Sequence, residues 1–207
     1  MWSNPSFHRT LRDIPAPARH EIGLELMRVQ YGAMPANFKP MPVVGSGAYE
    51  VRVKIAGEWR AIYVAKFEAA VYVLHAFQKK TQKTQKTPAE DIELARKRHK
   101  LIGARPMKKT DPRFNDVRVT HGSGNVFIDL GFDPAEAGVM ALRAEVMIRI
   151  EQLKSQGWTQ LAAARRLGIT QPRMSKLVKG VWQDFSLDML LTLAARAGLR
   201  PQLTLAA

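Results

Sequence analysis

The chain has 207 residues, of which 46% are hydrophobic, so it can bury a core and wholesale disorder is excluded. It contains no cysteine, which excludes a disulfide framework, a thiol nucleophile and thiolate metal sites. The formal net charge is +14 and both halves of the chain carry an excess of Lys and Arg, so polyanions such as nucleic acids are the expected partners.

The first predicted element is a helix. Ala18, Ile22, Leu26 and Val29 follow one another at helical spacing, and Gly32 comes where such a helix would end. Three prolines and two glycines fall within residues 33–47, which favours a loop.

Three strands follow in a meander. Residues 49–55 alternate, so that Tyr49, Val51 and Val53 share one face and Glu50 and Arg52 share the other. Gly57 marks a turn, and residues 59–67 and 70–77 read as two further strands. Because short turns connect them, the sheet is predicted to be antiparallel.

A cationic stretch with a repeated Thr-Gln-Lys triplet comes next, and a second helix is predicted after it. Thr87 can cap this helix, Pro88 suits its first position, and it should run to about Ile102. Residues 104–116 read as a linker. We therefore expect an α+β domain over residues 1–105 and an all-α domain over residues 106–207.

The second domain is predicted to contain four helices. A start signal near Pro134 opens the first, which should extend to about Gln156. Thr159, Thr170 and Ser186 are predicted to cap the next three. A final strand over residues 199–205 is also possible from the pattern.

Residues 159–179 have the features of a helix-turn-helix. Gly168 permits the positive φ that closes a tight turn, and Ala163 lets two helices approach. Because recognition helices contact bases from their N-terminal residues, Gln171 and Arg173 are the candidate base readers. The alternative is a plain helical bundle with a solvated polar face. The candidate DNA-binding residues are Thr170, Gln171, Arg173, Ser175, Lys176 and Lys179.

This segment resembles the helix-turn-helix of the Xre/HigA antitoxin family, and the resemblance covers roughly residues 117–205. Residues 122–132 are similar to the lead-in of HigA-type antitoxins. The resemblance implies operator DNA as a partner and autorepression as an activity.

The sheet sequences at residues 49–52, 59–66 and 71–81 resemble the RelE superfamily, in particular its phage-derived HigB-like branch. That resemblance implies a toxin that cuts mRNA during translation on the ribosome, and toxin before antitoxin is the HigB–HigA order. Two features depart from the family pattern: residues 1–10 are a poor strand where the family has one, and the Thr-Gln-Lys repeat looks like an insertion.

Strand register suggests a cationic cleft on the toxin-like sheet. A two-residue turn would place Arg60 opposite Phe77 and Ile62 opposite His75, with Phe77 exposed for base stacking. Preorganised cations would stabilise the negative charge of the transition state. His75 is left open between a core residue and a proton-transfer group. The candidate catalytic residues are Arg52, Arg60, Lys66, Phe77, Lys79 and Lys80.

The favoured interpretation is a fused toxin–antitoxin protein of the bacterial cytoplasm, with the halves bound within or between chains and a homodimer expected. A second interpretation is a DNA-binding regulator whose toxin-like domain is catalytically dead, and a third is an engineered fusion of two separate proteins. No cofactor, metal or membrane partner is expected, since no metal-ligand spacing, nucleotide fingerprint or long apolar run is present.

Overall fold

The computed structural model describes residues 2–3, 11, 13–67, 70–79, 86–102, 120–153 and 157–202. The chain divides into two compact units, Met1–Pro134 and Ala135–Ala207. The first unit is α+β and the second is all-α, as predicted. The first unit extends past the expected domain boundary at residue 105 and includes residues that the sequence assigns to the second domain. The predicted linker at residues 104–116 lies outside the described residues.

The first unit is built on a six-stranded sheet with the order β2-β3-β4-β5-β1-β6. Neighbouring strands from β2 to β5 are antiparallel, β1 pairs with β5 in parallel, and β6 pairs with β1 in antiparallel fashion. The strands are β1 (Trp2–Ser3), β2 (Phe38–Pro40), β3 (Ala48–Val53), β4 (Trp59–Phe67), β5 (Ala70–Gln78) and β6 (Thr120–His121).

The predicted register between β4 and β5 is confirmed for Arg60 and Ile62, and it shifts between Ile62 and Tyr63 and again between Val64 and Phe67. Arg60 pairs with Phe77 and with Arg52, and Ile62 pairs with His75. Strand β3 ends at Val53, two residues before the end of the predicted alternating stretch, and the chain turns at Ala56, whose φ is 50°. The predicted turn at residues 68–69 lies outside the described residues.

One helix covers each face of the sheet. Helix α1 (Ala16–Gln30) packs on β3, β4 and β5, on the face that carries Tyr63. Burial raises the pKa of Tyr63, and the charge of Glu25 on α1 adds to the rise. Helix α2 (Ala89–Ile102) packs on the other face. The core there consists of Met41, Val44, Ala48, Ile62, Val64, Leu74, Phe77 and Ala95.

The N-terminus contributes a short strand to the sheet. Residues 1–10 are predicted to be a poor strand, and the two of them that the structure describes, Trp2 and Ser3, form β1, in which Trp2 pairs with Tyr72 of β5 and with His121 of β6. Local sequence carries no signal for this strand, because its partners come from two distant parts of the chain.

The second unit contains the helix-turn-helix. Its helices are α4 (Pro134–Gln152), α5 (Gln160–Leu167), α6 (Gln171–Val178) and α7 (Leu187–Arg196), while a four-residue helix α3 (Val126–Asp129) belongs to the first unit. The predicted caps are confirmed: the side chains of Thr159, Thr170 and Ser186 each accept a hydrogen bond from a backbone N–H at the start of the helix that follows. Gly168 adopts the predicted positive φ, at 68°.

A core of the second unit forms where α4, α5, α6 and α7 meet. It includes Met147, Ile150, Ala163, Leu167, Met174, Leu177, Phe185, Leu190 and Leu193. Residues 199–202 are not in a strand, and the rest of the predicted terminal strand lies outside the described residues. None of the helices described has the length and apolar character needed to cross a membrane.

Candidate nucleic-acid interfaces

A cluster of charged side chains lies on the α2 face of the first unit, with Glu50 at its centre. Glu50 is completely buried. It accepts hydrogen bonds from Arg52 Nε at 2.7 Å and from Arg60 at 3.3 and 3.4 Å. The hydroxyl of Thr87 donates to Glu50 and accepts from Arg60 at 3.1 Å, so the chain just before α2 is tied to the sheet. The side chain of Thr87 therefore points toward Glu50 and Arg60.

A second carboxylate extends the cluster. Arg60 donates to Glu58 at 3.0 Å, and Lys79 Nζ lies 3.8 Å from the other Glu58 oxygen. The hydrogen bond from Arg60 is the main reason that the pKa of Glu58 lies below its usual value, and Lys79 and Lys54 lower it further. The three cations of this cluster are therefore each paired with a carboxylate, which offsets most of their positive charge.

The expectation of an open cationic cleft is wrong for three of its residues. Arg60 is 1% exposed, Lys79 6% and Phe77 8%, so Phe77 is no exposed stacking platform. The physical reason is that α2 packs over this face and that Glu50, which alternation places there too, draws both arginines to itself. Arg52 keeps 18% of its side chain exposed. Lys66 lies in β4, its side chain is outside the described part of the structure, and Lys80 is outside it altogether.

His75 is part of a polar contact between the sheet and α2. Its Nε2 lies 2.8 Å from Asp91 Oδ1, its Nδ1 lies 3.5 Å from Arg98, and its ring stacks on Phe77 at 5.2 Å. Burial lowers the pKa of His75, although the hydrogen bond with Asp91 opposes this. Both ring nitrogens are engaged, so the geometry favours the structural role that the sequence left open.

The recognition helix α6 presents a polar, basic face. Gln171, Arg173, Lys176 and Lys179 are exposed and Ser175 is half-buried. Met174 and Leu177 on the other side are buried in the core of the second unit. Thr170 lies at the start of the helix, where its hydroxyl accepts from the backbone N–H of Arg173. The predicted DNA-binding residues therefore lie together on one face or at its N-terminal end.

Asp184 restrains two of these side chains, and no sequence pattern indicates this contact. Arg173 donates to the Asp184 carbonyl at 3.2 Å and lies 5.6 Å from the Phe185 ring centroid. Lys176 forms an ion pair with the Asp184 carboxylate. Because Asp184 is in a separate 3-10 helix over Trp182–Asp184, only the folded unit brings it to α6.

Helix α5 adds cations beside α6. Arg165 and Arg166 are both exposed, and the Arg166 guanidinium lies 4.6 Å from the Trp158 ring centroid. Such cations contact phosphates in helix-turn-helix proteins, where the first helix crosses the backbone. In the part of the chain that the structure describes, no group of three or more His, Asp or Glu side chains could hold a metal ion.

Two family models match separate parts of the chain. Residues 9–100 match the family described as Phage derived protein Gp49-like (DUF891), and residues 126–205 match a family of helix-turn-helix domains. No curated protein matches the chain. The chain therefore joins an N-terminal Gp49-like domain, of the RelE/HigB-like toxin family, to a C-terminal Xre-like helix-turn-helix domain.

Proposed function

We propose that the chain is a fused toxin–antitoxin protein. Its first domain is an endoribonuclease that cuts mRNA on the ribosome, and its second domain restrains the first and binds operator DNA as an autorepressor. The observation that carries this proposal is the presence in one chain of a Gp49-like domain and a helix-turn-helix domain with an exposed basic recognition helix.

The charged cluster supports a modified assignment of the nuclease residues. Of the three cations paired with Glu50 or Glu58, Arg52 is the one whose side chain is 18% exposed, and Lys66 and Lys80 remain our other candidates for contact with RNA phosphate. Arg60 and Lys79 act as positioning residues, because they are buried and hold Glu50 and Glu58 in place. Phe77 supports His75 from within the core.

DNA binding by the second domain calls for a dimer in this proposal. A helix-turn-helix protein commonly places two recognition helices in successive major grooves, about 34 Å apart. Two copies of α6 would then read the halves of a palindrome through Gln171 and Arg173. Light scattering of the full chain, with and without its own promoter DNA, measures the stoichiometry.

The neutralised cluster favours a second candidate function. Glu50 and Glu58 leave the predicted cleft with little unpaired positive charge. A DNA-binding regulator whose Gp49-like domain binds a partner without cutting RNA would have this property.

Expression in growing bacteria distinguishes the two candidates. The full chain, residues 1–134 and residues 1–105 are induced in parallel, and growth and new mRNA 5′ ends are recorded. If the chain is a toxin–antitoxin protein, a truncated form should arrest growth and produce new mRNA 5′ ends inside coding regions, and the full chain should do neither. A regulator predicts neither, with soluble, folded truncated protein as the control.

A further inference from the structure

The boundary between the two domains differs between sequence similarity and packing within residues 120–132. The helix-turn-helix family match begins at residue 126, whereas the first compact unit continues to Pro134. Residues 126–132 thus belong by sequence similarity to the second domain and by packing to the first. We call residues 120–132 the docking segment.

The apolar side chains of the docking segment are buried against α1. Phe127 is 0% exposed and Leu130 1%, although α3 is a helix of only four residues. Gly23 of α1 leaves the space that they fill: a Cβ at this position would lie 2.7 Å from Phe127 Cε1 and 2.9 Å from Leu130 Cδ1. Any side chain at Gly23 would therefore displace the segment.

Polar contacts secure the end of α3. A helix leaves its last carbonyls without partners inside the helix. Arg19 donates to the carbonyl of Leu130 at 3.0 Å and to that of Gly131 at 3.4 Å, and its guanidinium lies 4.7 Å from the Phe132 ring centroid. The ring of His20 lies 5.2 Å from that of Phe127. These specific contacts distinguish the segment from a linker that only connects two domains.

The start of the segment adds a strand to the sheet. His121 pairs with Trp2 and Thr120 with Ser3, and Trp2 pairs in turn with Tyr72. The segment is therefore held at two points, by backbone hydrogen bonds at the sheet edge and by side chains at α1.

The burial of α1 shows that its outer face needs this cover. A helix on the surface of a domain normally keeps one polar stripe in water. In α1, all seven residues from Ile22 to Arg28 are buried. The sheet covers one side of the helix and the docking segment covers another.

We propose that the docking segment binds the second domain noncovalently to the first. Its binding site is the α1 surface around Arg19, His20 and Gly23. That this contact joins an antitoxin to its toxin rests on the proposed function, whereas the binding itself does not. A helix as short as α3 is not stable alone in water, so the segment folds where it docks.

Cutting the chain ahead of the docking segment tests this proposal. A protease site is introduced within residues 103–119 of the full chain, the purified protein is cut, and the dissociation constant of the two fragments is measured. We expect the fragments to co-elute at micromolar concentration. Phe127→Ala should weaken their binding at least about tenfold, because buried aromatic anchors dominate such interfaces.

Matched variants separate docking from folding. Ile128→Ala, in the same helix but 37% exposed, should bind as the unchanged chain does. Arg19→Ala, which keeps the apolar contacts, should weaken binding by a smaller factor than Phe127→Ala, and circular dichroism of each uncut chain checks the fold. Fragments of the unchanged chain that separate at micromolar concentration, or a Phe127→Ala variant that binds as tightly as the unchanged chain, would overturn the proposal. Because no RNA or DNA enters this assay, a chain without nuclease activity leaves its outcome unchanged and counts against the proposed function alone.

Discussion

Glu50 and Arg60 form a buried ion pair that ties two strands of the first domain together. Removing Arg60 leaves Glu50 buried with Arg52 as its remaining cation, so the cost should lie toward the lower end of the about 3–5 kcal/mol that is typical of a broken buried ion pair. We therefore expect Arg60→Ala to lower the free energy of unfolding of the first domain by that amount, measured by urea denaturation. Lys39→Ala, an exposed cation on β2, is the control and should change it by less than about 0.5 kcal/mol. Equal effects of the two substitutions would contradict the buried cluster.

Glu21 on α1 gives the first domain a pH dependence. Burial raises its pKa from 4.5 to about 7, with Glu25 adding to the rise and Arg28 opposing it. The folded state thus holds a proton that the unfolded state releases near pH 4.5. The stability linked to this proton is fully present below pH 4.5 and is lost as the pH rises through about 7.

Glu21→Gln should remove that dependence. At pH 8 the variant should be more stable than the unchanged protein by about 1–2 kcal/mol, after allowance for partial exposure of the carboxyl. At pH 4 the two should be nearly equal. Thermal unfolding at both pH values measures the difference, and a stability gain that is the same at both would show that the proton on Glu21 is not its cause.

Arg173 is expected to read a base at the start of α6. Its replacement by Ala should lower affinity for the operator by about 1–3 kcal/mol and leave affinity for random DNA nearly unchanged. Gel-shift titration against the chain's own promoter and against random DNA measures both. Arg149→Ala, an exposed arginine on α4, is the control. If discrimination between the two DNAs survives in Arg173→Ala, the contact lies elsewhere.

The turn between α5 and α6 is the element on which the recognition helix depends. Gly168 has a φ of 68°, and a Cβ there would lie 2.8 Å from the Arg196 guanidinium, which itself donates to Leu167. Gly168→Ala should therefore cost about 1–2 kcal/mol of stability in the second domain. Gly138→Ala, with open space around it in α4, should instead stabilise by about 0.5–1 kcal/mol. Thermal unfolding of the two variants should give changes of opposite sign, and a shared sign would refute this explanation.

Elements whose signals are local could be predicted from sequence. Thr159, Thr170 and Ser186 cap helices within three residues of themselves, and Gly168 closes its turn without help from distant residues. The alternation of β3 likewise predicts which residues share a face, and an assumed two-residue turn between β4 and β5 predicts the pairing of Arg60 with Phe77.

Elements that depend on distant partners could not be predicted in this way. Alternation does not show which face of a sheet a helix covers, so the sequence predicts an exposed Arg60, although α2 packs over it. The residues near Trp2 carry no pattern that predicts a strand, because the strand depends on pairing with the distant residues Tyr72 and His121. Asp184 reaches Arg173 only through the fold of the whole second unit.

On the scale of the whole molecule, the compact unit and the family boundaries do not coincide. The helix-turn-helix match begins at residue 126, but the first unit retains the chain to Pro134. Residues 126–132 therefore match the helix-turn-helix family by sequence but pack in the core of the first unit. In the proposed function, this shared segment is what couples a toxin to its own antitoxin in one chain.

Cleavage of translated mRNA tests the central claim most directly. A cell-free translation reaction receives the full chain, residues 1–134 or residues 1–105, and primer extension maps the mRNA ends with ribosomes translating and with ribosomes absent. The proposal predicts cuts within the reading frame, only during translation, from a truncated form that lacks the restraint, and none from the full chain. Intact mRNA with every folded form, while the full chain still binds its promoter, would contradict the toxin–antitoxin assignment and leave a DNA-binding regulator.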